Sequence, residues 1–313
     1  MKGKRIVITG GAGFIGSNLT GELSKDNEVI IIDNLSSGHL RNIERLVKLT
    51  NVRFIQGSIT DLPLLREAFA NTDYVFHQAA LVSVPMSIQA PLRANEVNVL
   101  GTLNVLTAAR ESGVRKVVCA SSCAVYGNAS TLPVTESTPP DPESPYAVTK
   151  LTDEHYCRVF ALLYALPTVC LRYFNVYGPA QDPHSDYAAV IPKFITQTLR
   201  NQPLTIFGDG HQTRDFVFIT DVVQANISAA EAAVQGVYNI GTGQQTSVIE
   251  LANLVLESAG RHSTIRHQPP RAGEIRHSFA DISKAKEFGY NPKHSIKEGI
   301  EKTIPSIEAS LIS

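Results

Sequence analysis

The sequence predicts an α/β fold in which helices cover both faces of a doubly wound parallel sheet, with a smaller C-terminal substrate-binding lobe. Three observations carry this. Short β-branched runs alternate with amphipathic stretches through the first half, a glycine-rich turn ends the first run, and the alternation loosens after about residue 174. The predicted strands are Arg5–Thr9, Glu28–Asp33, Val52–Gln56, Tyr74–His77, Lys116–Cys119 and Pro167–Leu171. Between them, apolar residues recur at helical spacing in Phe14–Leu23, His39–Lys48, Leu62–Phe69, Ser87–Ser112 and Pro145–Leu163. Beyond these, Gly-, Pro- and Asp-rich loops at Tyr177–Tyr187, Phe207–Arg214 and Gln268–Glu274 interrupt short elements. The expected division is a dinucleotide-binding domain over 1–174, with some later segments returning to it, and a lobe drawn mainly from 175–313. That lobe would sit over the C-terminal edge of the sheet, where ligands of such folds bind.

Composition narrows the class. A chain of 313 residues with 43% hydrophobic and 18% charged residues can bury a large core, and a net charge of −1 offers no basic surface for nucleic acid. The basic start, Met1–Arg5, is followed by only a short apolar run before glycines, which fits neither a signal sequence nor a spanning helix. The expected setting is cytoplasmic, with no membrane partner. Four cysteines, at 119, 123, 157 and 170, form no CxxC pair and no compact Cys/His cluster in sequence. Neither structural zinc nor a disulfide framework is expected, and no metal site is assigned.

The first strand runs into Thr9-Gly10-Gly11-Ala12-Gly13-Phe14-Ile15-Gly16. Glycines 10, 13 and 16 let the backbone turn tightly and approach a pyrophosphate at a helix N-terminus. The turn sits between a strand and a helix, and the next strand ends in Asp33. A carboxylate there accepts the adenosine ribose hydroxyls and repels a 2′-phosphate, so NAD is expected rather than NADP. A turn that merely packs is the alternative.

A second motif is Ser144-Pro145-Tyr146-Ala147-Val148-Thr149-Lys150: an N-capping serine, a proline at the first helical position, then a helix. Tyr146 and Lys150 are four apart and share a face. A free tyrosine, with a pKa near ~10, is a poor base at neutral pH. A neighbouring ammonium favours the phenolate and makes a general base of it.

With these residues in place, the chain resembles the extended short-chain dehydrogenase/reductase family over nearly its whole length. The likeness rests on Thr9–Gly16, Phe76-His77-Gln78-Ala79-Ala80, Asn98, Ser121–Gly127, Tyr146–Lys150, Leu171–Asn175 and Arg214-Asp215. It implies a Rossmann-type fold and a hydride shuttle with Ser122, Tyr146 and Lys150 as the catalytic group. It also implies a tightly bound NAD held by Gly10, Gly13, Phe14, Ile15, Gly16, Asp33, Asn34, Ser37, Gly38, Ser58 and Ile59. Gln78, Ala79, Ala80, Asn98, Ser121, Tyr146, Lys150 and Tyr173 complete that set. One departure is Ser58, where the family usually carries an Asp facing the adenine.

Within the family, the dehydratases carry Thr-Asp-Glu where this chain has Ser122-Cys123-Ala124, and decarboxylases of UDP-glucuronate also want the Glu. GDP-fucose-forming reductase–epimerases share Ser-Ser-Cys and pair the cysteine with a later histidine, for which His184 is the counterpart. They use NADPH, which Asp33 opposes; a buried inert thiol and a solvated loop histidine are the plainer readings. A UDP-glucuronate 4-epimerase and a non-catalytic nucleotide-binding regulator are further alternatives.

The resemblance is fullest to UDP-hexose 4-epimerases, above all those acting on N-acetylated sugars, through Leu171–Gly178, Tyr187–Lys193, Phe207–Gly210, Thr213–Phe216 and Arg271–Ser278. It implies that Asn175, Arg214 and Arg271 bind the diphosphate of a UDP-sugar, that Glu274 meets a ribose hydroxyl, and that Ala189, Val190 and the Leu204–Phe207 strand (Thr205, Ile206, Phe207) hold uridine. Lys193 and Phe194 join this substrate set, as do Val82, Ser83, Ser122, Cys123 and Tyr146. A small Ser278, where other members carry a bulky aromatic, leaves room for an acetamido group. The activity so implied is interconversion of UDP-GlcNAc and UDP-GalNAc, with UDP-Glc and UDP-Gal as further substrates, through a transient 4-keto sugar. The helices around Leu92–Arg110 and Lys150–Leu163 are those that related enzymes use in a homodimer.

Overall fold

The computed structural model describes residues 1–182, 189–270 and 275–312. Seven strands form one sheet in the order Gly236–Ile240, Thr168–Tyr173, Lys116–Ser122, Tyr74–His77, Arg5–Thr9, Glu28–Asp33, Val52–Gln56. Every pairing in it is parallel. The first strand lies between the second and the fourth, so strand order reverses beside Arg5–Thr9, and the turns after it and after Tyr74–His77 open a crevice. Alternate side chains feed two cores: Ile6 and Ile8 enter the cluster on one face, Val7 the cluster on the other. Both faces are buried, which is why these strands read as continuous apolar runs.

The first four strands lie where the sequence predicts them. The fifth and sixth run further, to Ser122 and Tyr173, carrying polar residues into the site. The predicted helix over Ser87–Ser112 is instead broken into Val84–Gln89, Pro91–Asn95, a π-helical turn Glu96–Leu100, and Gly101–Glu111. Pro91 has no N–H to continue the preceding turn. The wide π turn carries Asn98, whose side chain bonds Leu81 through both its backbone N–H (2.7 Å) and its carbonyl (3.1 Å), and Thr149 Oγ1 (2.9 Å). The stretch His39–Lys48 is helical only over Leu40–Ile43.

Beyond the sixth strand the elements shorten. Asn175–Tyr177 pairs with Phe216–Phe218, Leu204–Phe207 with Ile265–Gln268, and Thr213–Arg214 with both Thr246–Ser247 and His277–Ser278. Helices Val190–Leu199, Val248–Ser258 and Ile296–Ile312 pack against one another around them. Asp215 knots this region. It is fully buried, and its carboxylate accepts hydrogen bonds from Thr242 N (2.7 Å), Thr242 Oγ1 (2.7 Å), Gly243 N (3.0 Å) and Ala280 N (3.2 Å). No described helix is long and apolar enough to cross a membrane.

Candidate active site

The turn after the first strand is built for close approach. Gly10 has φ of +69°, and a Cβ there would lie 2.6 Å from Ala79 N across the crevice. A Cβ on Gly16 would stand 2.2 Å from Gly10 O. Gly13 begins helix Phe14–Leu23 with no side-chain cap, so the first N–H groups, those of Phe14 and Ile15 among them, face the crevice without a capping side chain. Asp33 is 7% exposed; its carboxylate accepts from Ala12 N (3.0 Å) and Leu35 N (2.8 Å) and retains lone pairs for further donors. Gly38 leaves the space beside it open, since a Cβ there would lie 2.8 Å from Asp33 Oδ2. Uncapped helical N–H groups for a pyrophosphate and an anchored carboxylate for a diol fit a dinucleotide such as NAD.

Most of the other expected cofactor residues stand at or just beyond the C-terminal ends of the second to sixth strands of the chain. Asn34 closes a turn onto Ser36 N (3.0 Å), beside exposed Ser37. Ser58 bonds Thr60 Oγ1 at 2.8 Å, next to buried Ile59. Gln78, Ala79 and Ala80 follow the fourth strand; Gln78 Nε2 donates to Tyr173 Oη (3.2 Å) and to Asn226 Oδ1 (3.2 Å), which also accepts from Tyr173 Oη (2.9 Å). The Ser121 hydroxyl donates to Glu154 Oε1 (2.5 Å) inside the core.

Ser122, Tyr146 and Lys150 come together at the strand end. Ser144 caps helix Pro145–Tyr164 by accepting from Ala147 N, as its sequence predicts. Tyr146 is half-buried, and desolvation raises its phenol above the usual value. The Lys150 charge and a hydrogen bond with Ser122 pull the other way without cancelling it. Lys150 is 2% exposed, and its Nζ donates to Ala120 O (3.0 Å) and pairs with Asp153 Oδ2 (3.3 Å). Burial works to lower the lysine, but the charges of Asp153 and Tyr146 outweigh it and hold it above its ordinary value. Cys123 is half-buried; desolvation pushes its thiol up to about 11 against the pull of Arg214.

A cleft of about 640 Å³, including its open mouth, adjoins the far side. Asn175, Val190, Lys193, Phe194, Thr205, Ile206, Phe207 and Arg214 line it. Ala189 immediately precedes helix Val190–Leu199, whose Val190 lines the cleft, and offers it no side-chain cap. Ser278 pairs with Arg214 in register, which sets its small side chain beside the cleft's arginine. Val82 is exposed and Ser83 caps helix Val84–Gln89. Arg271, Glu274, Tyr187, Ala188 and His184 lie outside the described residues.

Two lining residues escaped the sequence reading, Gln212 and Val248. Gln212 stands two before Arg214 near a strand, so period-two alternation puts it on the same side. The cysteines also differ from expectation. Separated in sequence, the Sγ atoms of Cys119, Cys157 and Cys170 lie within 4.8 Å of one another, fully buried. Cys119 and Cys170 occupy paired register positions on adjacent strands, and Cys157 meets them from helix Pro145–Tyr164.

Comparison with known proteins agrees with this geometry. The model of the NAD dependent epimerase/dehydratase family matches residues 6–241. A UDP-glucose 4-epimerase of Mycolicibacterium smegmatis is 39% identical over 306 residues, covering 96% of this chain and 97% of that one. Among solved structures, the UDP-N-acetylglucosamine 4-epimerase of Methanobrevibacter ruminantium M1, in complex with UDP-N-acetylmuramic acid, superposes with a TM-score of 0.97 at 39% identity, over 99% of this chain and 100% of that one. The UDP-glucose 4-epimerase of Thermotoga maritima with UDP-glucose gives 0.93 at 40% identity, over 98% and 99%. Glycine cradle, anchored Asp33 and whole-length likeness lead to one conclusion: this chain belongs to the NAD dependent epimerase/dehydratase family.

Proposed function

We propose that the chain is a UDP-sugar 4-epimerase, with UDP-GlcNAc and UDP-GalNAc as its preferred pair. The observation that carries this is the junction of two parts: Ser122, Tyr146 and Lys150 stand at the crevice, and Cys123 next to Ser122 feels the charge of Arg214 in the cleft. A nucleotide lying in the cleft, with its diphosphate on Arg214 and Asn175, thus presents its sugar to Tyr146. NAD, tightly bound, supplies the reversible oxidation at C4. Tyr146, as the phenolate that the Lys150 charge favours, accepts the 4-OH proton while Ser122 hydrogen-bonds the same oxygen. The 4-keto sugar then turns about its phosphate linkage and presents its other face to the cofactor, so that the hydride NAD had taken would come back to the opposite face of C4 while Tyr146 returns the proton to the C4 oxygen. In this reading the cofactor half is 1–174 and the sugar-nucleotide half mainly 175–313.

Purified enzyme is given UDP-GlcNAc, UDP-glucose or UDP-glucuronate with no added reductant. Formation of UDP-GalNAc, faster than UDP-galactose, is the expected result. A strict NADPH requirement would instead favour the reductase reading that uses Cys123.

Homodimer formation belongs to the same proposal. Leu92 (86% exposed), Leu162 (67%) and Leu163 (71%) leave an apolar surface on the helices that flank the site. Sedimentation of wild type against Leu162→Glu tests it; identical monomeric behaviour of both would refute the dimer.

A further inference from the structure

Lys150 acts in the proposed reaction through Tyr146, and the structure shows what holds Lys150. Three residues on along the helix, Asp153 is fully buried, with Oδ2 3.3 Å from Lys150 Nζ and Oδ1 without a partner among the described residues. A buried carboxyl in the middle of a helix costs stability unless something needs its charge.

The groups behind it are ordered toward that charge. Thr102, on helix Gly101–Glu111, stands near enough to the carboxyl to favour its ionised form. Thr102 Oγ1 is 2.9 Å from His77 Nε2, and His77 Nδ1 is 2.7 Å from Thr9 Oγ1. Burial lowers His77 to about 4, so the imidazole is neutral and holds one proton. In one arrangement the Thr9 hydroxyl donates to Nδ1 and the Nε2 proton goes to Thr102, which leaves the Thr102 hydroxyl proton to turn toward the Asp153 carboxyl. Thr9 ends the first strand and Ala79 N donates to its hydroxyl at 3.4 Å, so the chain runs from the cofactor crevice to the lysine. All its members are buried: Thr9, His77, Thr102, Asp153 and Lys150.

We propose that Asp153 is a positioning residue for the epimerisation: its carboxylate, backed by Thr102 and His77, tethers Lys150 and sets the charge balance felt by Tyr146. This rests on the assignment of Tyr146 and Lys150 made above. The groups facing Asp153 are Lys150 and Tyr146 from its own helix, Cys119 from strand Lys116–Ser122, and Thr102 from the adjoining helix, with neutral His77 behind. Desolvation drives Asp153 up to about 7 against the Lys150 charge. Its negative charge raises both Lys150 and Tyr146.

The test compares kcat and KM against pH in the full-length holoenzyme for wild type, Asp153→Asn, Thr102→Val and Lys150→Met. Asparagine removes a charge that opposes the phenolate, so the acid limb of kcat moves to lower pH by about one unit, and the loosened lysine lowers the plateau ~10-fold with KM within about threefold. Thr102→Val keeps the carboxyl but weakens its charge, giving a smaller shift of the same sign; it decides the matter if Asp153→Asn fails to fold. An unmoved acid limb in the folded variant overturns the proposal, whether or not kcat falls, because a merely structural carboxyl would leave the limb in place. Lys150→Met with intact kcat would overturn the underlying assignment as well. A severe loss in Lys150→Met beside normal Asp153→Asn and Thr102→Val profiles would remove only the role of Asp153.

Discussion

Arg172 and Glu154 form a two-pronged ion pair inside the core, with Nε 2.8 Å from Oε1 and Nη2 2.6 Å from Oε2. Both side chains are 4% exposed. The pair ties the sixth strand to the helix that carries Tyr146 and Lys150, and Ser121 adds a third hydrogen bond to the same carboxylate. The guanidinium also covers the Tyr126 ring at 4.6 Å, which anchors the far end of the Ser122–Tyr126 turn.

Removing one partner strands the other charge in the core. Glu154→Gln is therefore expected to destabilise the protein by about 3–5 kcal/mol, far more than an exposed ion pair would. Urea denaturation checks this; an unchanged midpoint would mean that the arginine finds compensation elsewhere.

Tyr146→Phe should fold normally and lose ~10²–10⁴ in kcat, because in the proposed reaction the Tyr146 phenolate accepts the proton. Lys150→Met gives the informative sign. Burial raises the Tyr146 phenol and the lysine charge opposes that, so loss of the charge moves the acid limb of any residual activity to higher pH. Asp153→Asn is expected to move it the other way. A pH profile of each variant separates the two; a shift in the same direction would break the electrostatic account.

How much of this was legible in the sequence follows from what each residue type reports. The first four strands stood out because residues buried on both faces leave an unbroken β-branched run, as in Glu28–Asp33. The glycine turn and the Tyr146–Lys150 spacing were legible because close approach and helical register demand particular residues at particular intervals. The break at Pro91 was missed because the apolar periodicity continues across it. Asp153 and the sulfur cluster were not legible at all. Their burial comes from packing among strands and helices distant in the chain, and no local pattern records it.

Cys123 separates the epimerase from the thiol-using alternative. Desolvation pushes its thiol up to about 11, so near pH 8 only about one molecule in a thousand carries a thiolate. Alkylation by iodoacetamide at that pH should be slower than that of free cysteine by at least ~10-fold. Rapid, stoichiometric alkylation of Cys123, located by peptide mapping, would mean a reactive thiol and would restore the cysteine–histidine chemistry.

Substrate choice turns on Ser278. Its Cα pairs with that of Arg214, so its side chain is carried by the same three-stranded patch that presents the arginine to the cleft. A tyrosine there adds a ring to a half-buried position next to the cleft's arginine. In the proposed arrangement that ring takes the space of the acetamido group on C2, whereas a C2 hydroxyl still fits. Ser278→Tyr is therefore expected to lower kcat/KM for UDP-GlcNAc by ~10²-fold while changing that for UDP-glucose by less than about threefold, since a steric clash discriminates more sharply than a lost contact. Parallel assays on the two sugars provide the measurement. An equal loss on both would place the ring in the path of the shared nucleotide rather than of the acetamido group, and the wall at position 278 would have to be abandoned.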